Sequence, residues 1–123
     1  LSNHGGRQLD GSRTPFDQLA EIVDAVGGEI DVMMDSGVRR GTHVIKALAL
    51  GATAVGVGRY YLFPLAAAGE AGVNRALTLM RDEIERGLRL MGVSSARALG
   101  RGHVRMDTAF DEALREAALS ARA

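Results

Sequence analysis

The 123 residues include no cysteine. That absence removes disulfides, thiolate metal sites and thiol nucleophiles from consideration together. Aromatic side chains are scarce, with only Phe16, Tyr60, Tyr61, Phe63 and Phe110 present, so stacking platforms for single-stranded nucleic acid are poorly supplied. Neither sign of charge dominates: fifteen basic side chains balance fifteen acidic ones. No long-range field therefore points to nucleic acid or anionic lipid. No apolar run approaches the roughly 20 residues of a membrane-spanning helix, and no basic-then-apolar leader opens the chain. The three histidines lack ligand spacing, so no metal site is expected. The chain also lacks an initiator Met and enters a dense polar motif at once, which leads us to expect a piece of something larger.

What is present is ordinary globular composition, 46% hydrophobic and 24% charged, enough for one domain with a core. Thr14 as N-cap, Pro15 at the first helical position and apolar residues at helical spacing predict a helix over Pro15–Val26, ended by Gly27-Gly28. Ile30–Met34 reads as a buried strand closed by Asp35-Ser36-Gly37, Thr42–Leu50 as a helix stopped by Gly51, and Ala52–Val57 as a second strand. A helical region within Leu62–Gly69 is expected next. A long amphipathic helix then spans Gly72–Met91, with Val73, Leu77, Met80, Ile84, Leu88 and Met91 on one stripe. Ser94–Leu99 reads as a short helix and Asp107–Ala123 as an Ala-rich amphipathic stretch. Strand, helix and strand in tight succession make a βαβ unit, and strands without polar alternation feed a parallel sheet covered on both faces. A (β/α)8 barrel needs about 250 residues, so this chain supplies about half of one. The alternative is a small complete α/β domain with a marginal sheet.

The chemistry-bearing residues cluster at loops. Asp35-Ser36-Gly37-Val38-Arg39-Arg40-Gly41 follows the first strand, and Gly56-Val57-Gly58-Arg59 closes the second. Each sets turn glycines beside a permanently charged guanidinium. In (β/α)8 barrels the loops after the last two strands commonly hold a phosphate, aided by a helix N-terminus. The pairing suggests a bound phosphate monoester. It is neither a dinucleotide fingerprint nor a Walker loop. The opening string Ser2-Asn3-His4-Gly5-Gly6-Arg7-Gln8-Leu9-Asp10 sets an imidazole able to act as a base near neutral pH beside a guanidinium able to grip a carboxylate in a fork. As bare chemistry this fits proton removal from a small carboxylate substrate, and it fits a structural turn equally well.

In order and spacing, Ser2–Asp10, Asp35–Gly41 with Val44–Gly51, and Gly56–Arg59 resemble the FMN-dependent α-hydroxy-acid dehydrogenase/oxidase family, which includes glycolate oxidase, L-lactate dehydrogenase, flavocytochrome b2 and mandelate dehydrogenase. The S-N-H-G-G-R-Q-L-D string is highly specific; the other two pieces are shared with further phosphate-binding barrels. The resemblance implies an α/β fold, the C-terminal part of a (β/α)8 TIM barrel with its last two strands and their helices, residues 1–123 being one portion of a single FMN-binding domain. It implies FMN as cofactor and oxidation of a small L-2-hydroxy acid to the 2-keto acid. His4 would be the catalytic base and Arg7 the clamp on the substrate carboxylate. Ser2 would sit by the flavin ring, Asp35, Ser36, Gly37 and Val38 along the ribityl-phosphate path, and Arg39, Gly58 and Arg59 on the phosphate. Position 36 is Ser where several members have Gly.

The family's substrate tyrosines, its flavin-contacting lysine and the aspartate that orients the histidine lie outside this sequence, so the resemblance implies that the chain is inactive until an N-terminal remainder bearing about six strands completes it. It further implies a homo-oligomer, by family habit a tetramer, located in the cytoplasm or peripherally at the inner face of the membrane. Two other readings compete: an IMP dehydrogenase-like phosphate-binding barrel, disfavoured by the lack of cysteine, and a non-catalytic half-barrel subunit. His43 is expected at the surface, His103 in a structural turn, the methionines in packing, and the charges of Arg81–Arg89 on a solvated face with pairs such as Asp82 with Arg86 and Glu85 with Arg89.

Overall fold

The computed structural model describes residues 1–26 and 28–105. The stretch Asp107–Ala123, expected to be amphipathic, lies outside the described residues. Helix α1 spans Pro15–Val26, with the bounds its Pro start and Gly stop predict. Thr14 caps it through its side-chain oxygen, which accepts from the Asp17 N–H at 3.2 Å. Strand β1 is Met33–Met34, helix α2 is Gly41–Ala49 and strand β2 is Ala54–Val55. Helix α3 then runs Arg59–Leu90, bent at Ala68 and Gly69. The non-helical backbone there separates two helical segments, so the two helices expected over this region are both present, the first beginning earlier, at Arg59. Gly72 lies so close to the Pro64 carbonyl across the bend that a side chain there would collide with it. Single 3₁₀ turns follow at Ala96–Ala98 and Arg101–His103.

β1 and β2 pair in parallel, Met33 opposite Ala54 and Met34 opposite Val55. The regular strands are shorter than the apolar runs that announce them, although the ladder reaches past both ends, Thr53 N–H donating to Val32 C=O at 2.7 Å and Gly56 N–H to Met34 C=O at 2.8 Å. Leu1 extends the sheet on the other side of β1. Its amino group donates to Met33 C=O at 2.5 Å, and its own carbonyl accepts from Asp35 N–H at 3.1 Å. This is the bonding pattern of a third parallel strand end, which the sequence reading did not anticipate.

The core lies on one face of this sheet. Val32, Met34, Leu19, Val38, Ala47, Leu50 and Ala52 form a buried cluster beneath α1 and α2, with Phe16, Val23 and Val44 packed around it. Met33, by contrast, is 64% exposed on the opposite face, so among the described residues only one side of the sheet is covered. α3 lies against α2 through small residues. A Cβ on Gly41 would stand 2.6 Å from Glu83 Cβ and 2.7 Å from Ile84 N, and one on Gly87 would run into Ile45 Cδ1. Ala76 and Met80 are the buried apolar residues of α3, while Leu77, expected inward, is 48% exposed. Val73, Ile84 and Leu88 are half-buried, so the expected stripe holds along most of its length and departs from it at Leu77 and Met91. Arg101 tethers the end of the described chain to α1, its guanidinium donating to both Asp24 carboxylate oxygens, at 2.5 and 3.2 Å.

Candidate active site

Three loops leave the sheet at the same edge, after Leu1, after Met34 and after Val55. Because adjacent parallel strands lie about 4.8 Å apart, their carboxyl ends hold these loops side by side. The first loop is a 3₁₀ turn over His4–Gly6, capped by Asn3, whose side-chain oxygen accepts from the Gly5 N–H at 3.0 Å. His4 N–H donates to Ser2 Oγ at 3.1 Å. His4 has φ +54°, a left-handed backbone that a β-carbon resists. The ring is engaged on one side: Nδ1 lies 2.5 Å from Gln8 Oε1, and since an amide oxygen only accepts, Nδ1 is the donor of this bond, with Nε2 on the far side of the ring.

The second loop repeats the strain. Ser36 has φ +73°, and its hydroxyl donates to Asp35 Oδ1 at 2.7 Å. The same oxygen lies 3.4 Å from the Gly5 N–H and 3.5 Å from Ser2 Oγ, which stitches the second loop to the first. The hydroxyl of Ser2, then that of Ser36, hold the Asp35 carboxyl below its ordinary value against the opposing pull of burial. Gly56 has no side chain, and a Cβ there would lie 3.2 Å from Asp35 Cβ, so the end of β2 nestles against Asp35.

The third loop ends at Gly58, where α3 begins with no side chain capping it. Its first N–H groups are therefore open to an anion, as free helix N-termini are. The N-terminus of α2 differs: the Glu83 carboxylate takes the Gly41 N–H at 2.7 Å. Arg59 folds back over the first loop, its Nη2 lying 3.0 Å from where a Cβ on Gly5 would be. Among the described residues, Arg7, Arg39 and Arg59 form no ion pair.

These loops enclose a cleft of about 400 Å³. His4 and Arg7 line it from the first loop, Asp35, Ser36, Gly37, Val38 and Arg39 from the second, and Gly58 and Arg59 from the third. Ser2 alone of the residues singled out in the sequence stands outside the lining and acts on it through His4 and Ser36.

The residues Leu1 to Met106 match the model of the FMN-dependent dehydrogenase family. The chain belongs to that family. Glycolate oxidase 3 of Arabidopsis thaliana is 53% identical over 87% of the chain, and the cytochrome-type L-lactate dehydrogenase of Wickerhamomyces anomalus is 48% identical over 80% of it. Among solved structures, an (S)-mandelate dehydrogenase superposes with a TM-score of 0.82 at 47% identity, covering 85% of the chain. A flavocytochrome b2 variant superposes at 0.80 with 42% identity over 91% of the chain. The chain spans 29% of the glycolate oxidase, 18% of the lactate dehydrogenase and 29% of the mandelate dehydrogenase.

FMN is the cofactor of this family, and the cleft suits its phosphate end. Two guanidinium groups, Arg39 and Arg59, stand there without a carboxylate partner among the described residues, beside the uncapped start of α3, a donor set that a dianion would suit. In this FMN-dependent dehydrogenase segment the sequence reading missed Gly5, Tyr60, Leu62 and Phe63, which also line the cleft. The apolar pair follows from α3 starting at Arg59 rather than within Leu62–Gly69, which turns its first turns toward the opening. His43, expected at the surface, is half-buried, and its Nδ1 accepts the Arg39 N–H at 3.3 Å. Its place in the first turn of α2 is the signal that would have found it. His103 lies in a turn as expected, its ring bonded to the Gly100 backbone.

Proposed function

We propose that this chain is the C-terminal portion of an enzyme that oxidises a small L-2-hydroxy acid, of the lactate, glycolate or mandelate kind, to the 2-keto acid with FMN. The observation that carries the reading is the meeting, in one cleft, of the His4–Arg7 turn with the two arginine-bearing loops. Arg39 and Arg59 hold the flavin phosphate with the backbone of Gly58. Asp35, Ser36, Gly37 and Val38 run beneath the ribityl chain, and Ser2 keeps the first loop against it. Bound FMN supplies the acceptor for the two electrons the substrate gives up. Arg7 grips the substrate carboxylate in a two-bonded fork and fixes which face of the α-carbon is presented. His4, its Nδ1–H held by Gln8, uses Nε2 to take the proton released as the hydroxy acid becomes a keto acid. The positive charge so formed stays close to the substrate carboxylate, which offsets it.

The rest of the barrel completes this site. The exposed Met33 face of the sheet and the pairing of Leu1 along β1 both support an N-terminal remainder that continues the sheet and covers it. On this reading the 123-residue chain by itself has no turnover, and the intact enzyme is a homo-oligomer. Among the described residues no helix is long and apolar enough to cross a membrane. One related structure is described as a monotopic membrane protein. We place the enzyme in the cytoplasm or peripherally at the inner face of the membrane.

The test is an absorption spectrum of the intact protein, followed by anaerobic addition of L-lactate, glycolate and L-mandelate. An oxidised-flavin band that bleaches with at least one acid is expected. A protein that takes up no FMN, or whose flavin stays oxidised with all three acids and their longer-chain homologues, overturns the reading.

A further inference from the structure

Glu83 lies on α3, outside the lining of the cleft, within the charges that the sequence places on a solvated face. Its contacts are not those of a solvated residue. Oε1 accepts from Arg40 Nε at 2.9 Å, and Oε2 accepts from the same nitrogen at 3.1 Å and from the Gly41 N–H at 2.7 Å. Arg40 adjoins Arg39, and Gly41 opens α2. The carboxylate thus grips the backbone and side chain that immediately follow one arginine of the cleft. The other arginine, Arg59, begins the helix that carries Glu83. Its neighbour Tyr60 crosses the bend of α3 to donate its hydroxyl to Ala76 C=O at 2.9 Å, which fixes the first half of the helix on the half bearing Glu83. A continuous bonded path therefore joins Arg39 to Arg59 through Arg40, Glu83 and Tyr60. Gly41 makes it short, since any side chain there would strike Glu83 Cβ. Glu83 also fills the anion position at the start of α2, leaving the start of α3 as the open one.

We propose that Glu83 is a positioning residue for the flavin-phosphate subsite, setting the spacing of Arg39 and Arg59 through Arg40 and Gly41. The inference rests on the reading of those two arginines as phosphate ligands. Glu83 touches neither cofactor nor substrate. Its carboxyl is held below the ordinary value by the Arg40 bond first and the Gly41 N–H second, so the carboxylate is charged throughout the neutral range.

The test uses the intact flavoprotein, stripped of flavin and titrated separately with FMN and with riboflavin, which lacks the phosphate. In Glu83→Ala, FMN affinity falls by about tenfold or more, as the loss of charge-assisted bonds predicts, while riboflavin affinity holds. Glu83→Gln keeps an acceptor for the Gly41 N–H, folds in any case, and shows a smaller loss for FMN alone. Equal weakening of both flavins, or no change in either, overturns the proposal. A wild-type protein that binds riboflavin as tightly as FMN instead removes the phosphate assignment itself, and is told apart by that control.

Discussion

Two neighbouring regions of the βαβ unit are built on opposite terms. Where α2 meets α3, Gly41 and Gly87 admit close approach, sterics limit it, and the charged pair there, Glu83 and Arg40, is matched, the carboxylate also taking the Gly41 N–H. Where the strands end, His4 and Ser36 hold left-handed backbones and three arginines stand without an ion pair among the described residues. Strain and uncompensated charge are concentrated where a ligand can use them. The packed end supplies the stability that tolerates this, and the difference separates residues whose loss unfolds from residues whose loss silences.

The largest effect is expected at the strained end. In the intact enzyme His4→Gln lowers kcat by roughly 10²–10⁴-fold, the range for a lost general base, while flavin content per protein holds. Steady-state turnover beside the flavin spectrum checks both halves, and a variant that loses its flavin with its activity would blur the distinction between the ends. At the packed end Gly41→Ala acts on stability instead. Its Cβ meets backbone at Ile84 N, which cannot swing aside, so about 1–3 kcal/mol of destabilisation is expected in chemical denaturation. A Gly41→Ala protein as stable as the wild type would show that α3 shifts freely on α2. The smallest effect belongs to Ser36→Gly, which trades a hydroxyl bonded to Asp35 for relief of a positive φ. These terms oppose, so stability changes by less than about 1 kcal/mol, and the readout is a modest fall in turnover as the tie to Gly5 is lost. Unchanged turnover would remove Ser36 from the loop-to-loop connection.

Local chemistry made much of this legible in the sequence. Pro15 marks the start of α1 because a fixed φ acts within a residue or two. His4, Arg7, Asp35–Arg39, Gly58 and Arg59 could be chosen because their motifs are short and contiguous, and the fold brings them around one cleft. What escaped depends on neighbours. One residue, Leu1, carries no periodicity, so its place in the sheet is visible only in its bonds to Met33 and Asp35. Leu77 falls outside the buried side of α3 while its small neighbour Ala76 falls within it, an exchange that hydrophobicity, which ranks Leu above Ala, does not reveal. Glu83 read as one more helical surface charge. The Glu85–Arg89 pair does form, at 3.3 Å, and Asp82–Arg86 is not among the ion pairs of the described residues. Partners 42 and 43 residues away in sequence leave no local trace at Glu83.

The register of the sheet has a consequence for how such a site changes over time. Met34 opposite Val55, with Leu1 bonded to Met33 and Asp35, fixes where each loop is launched, like three pens clipped to one ruler. A slip of one residue in any strand would withdraw its loop by about 3.3 Å and turn its side chains to the wrong face, so the launching residues are held to a common alignment. Residues outside the cleft lining carry no such constraint. They can therefore vary between relatives and reshape the rim, while the residues nearest each launch point keep their common alignment.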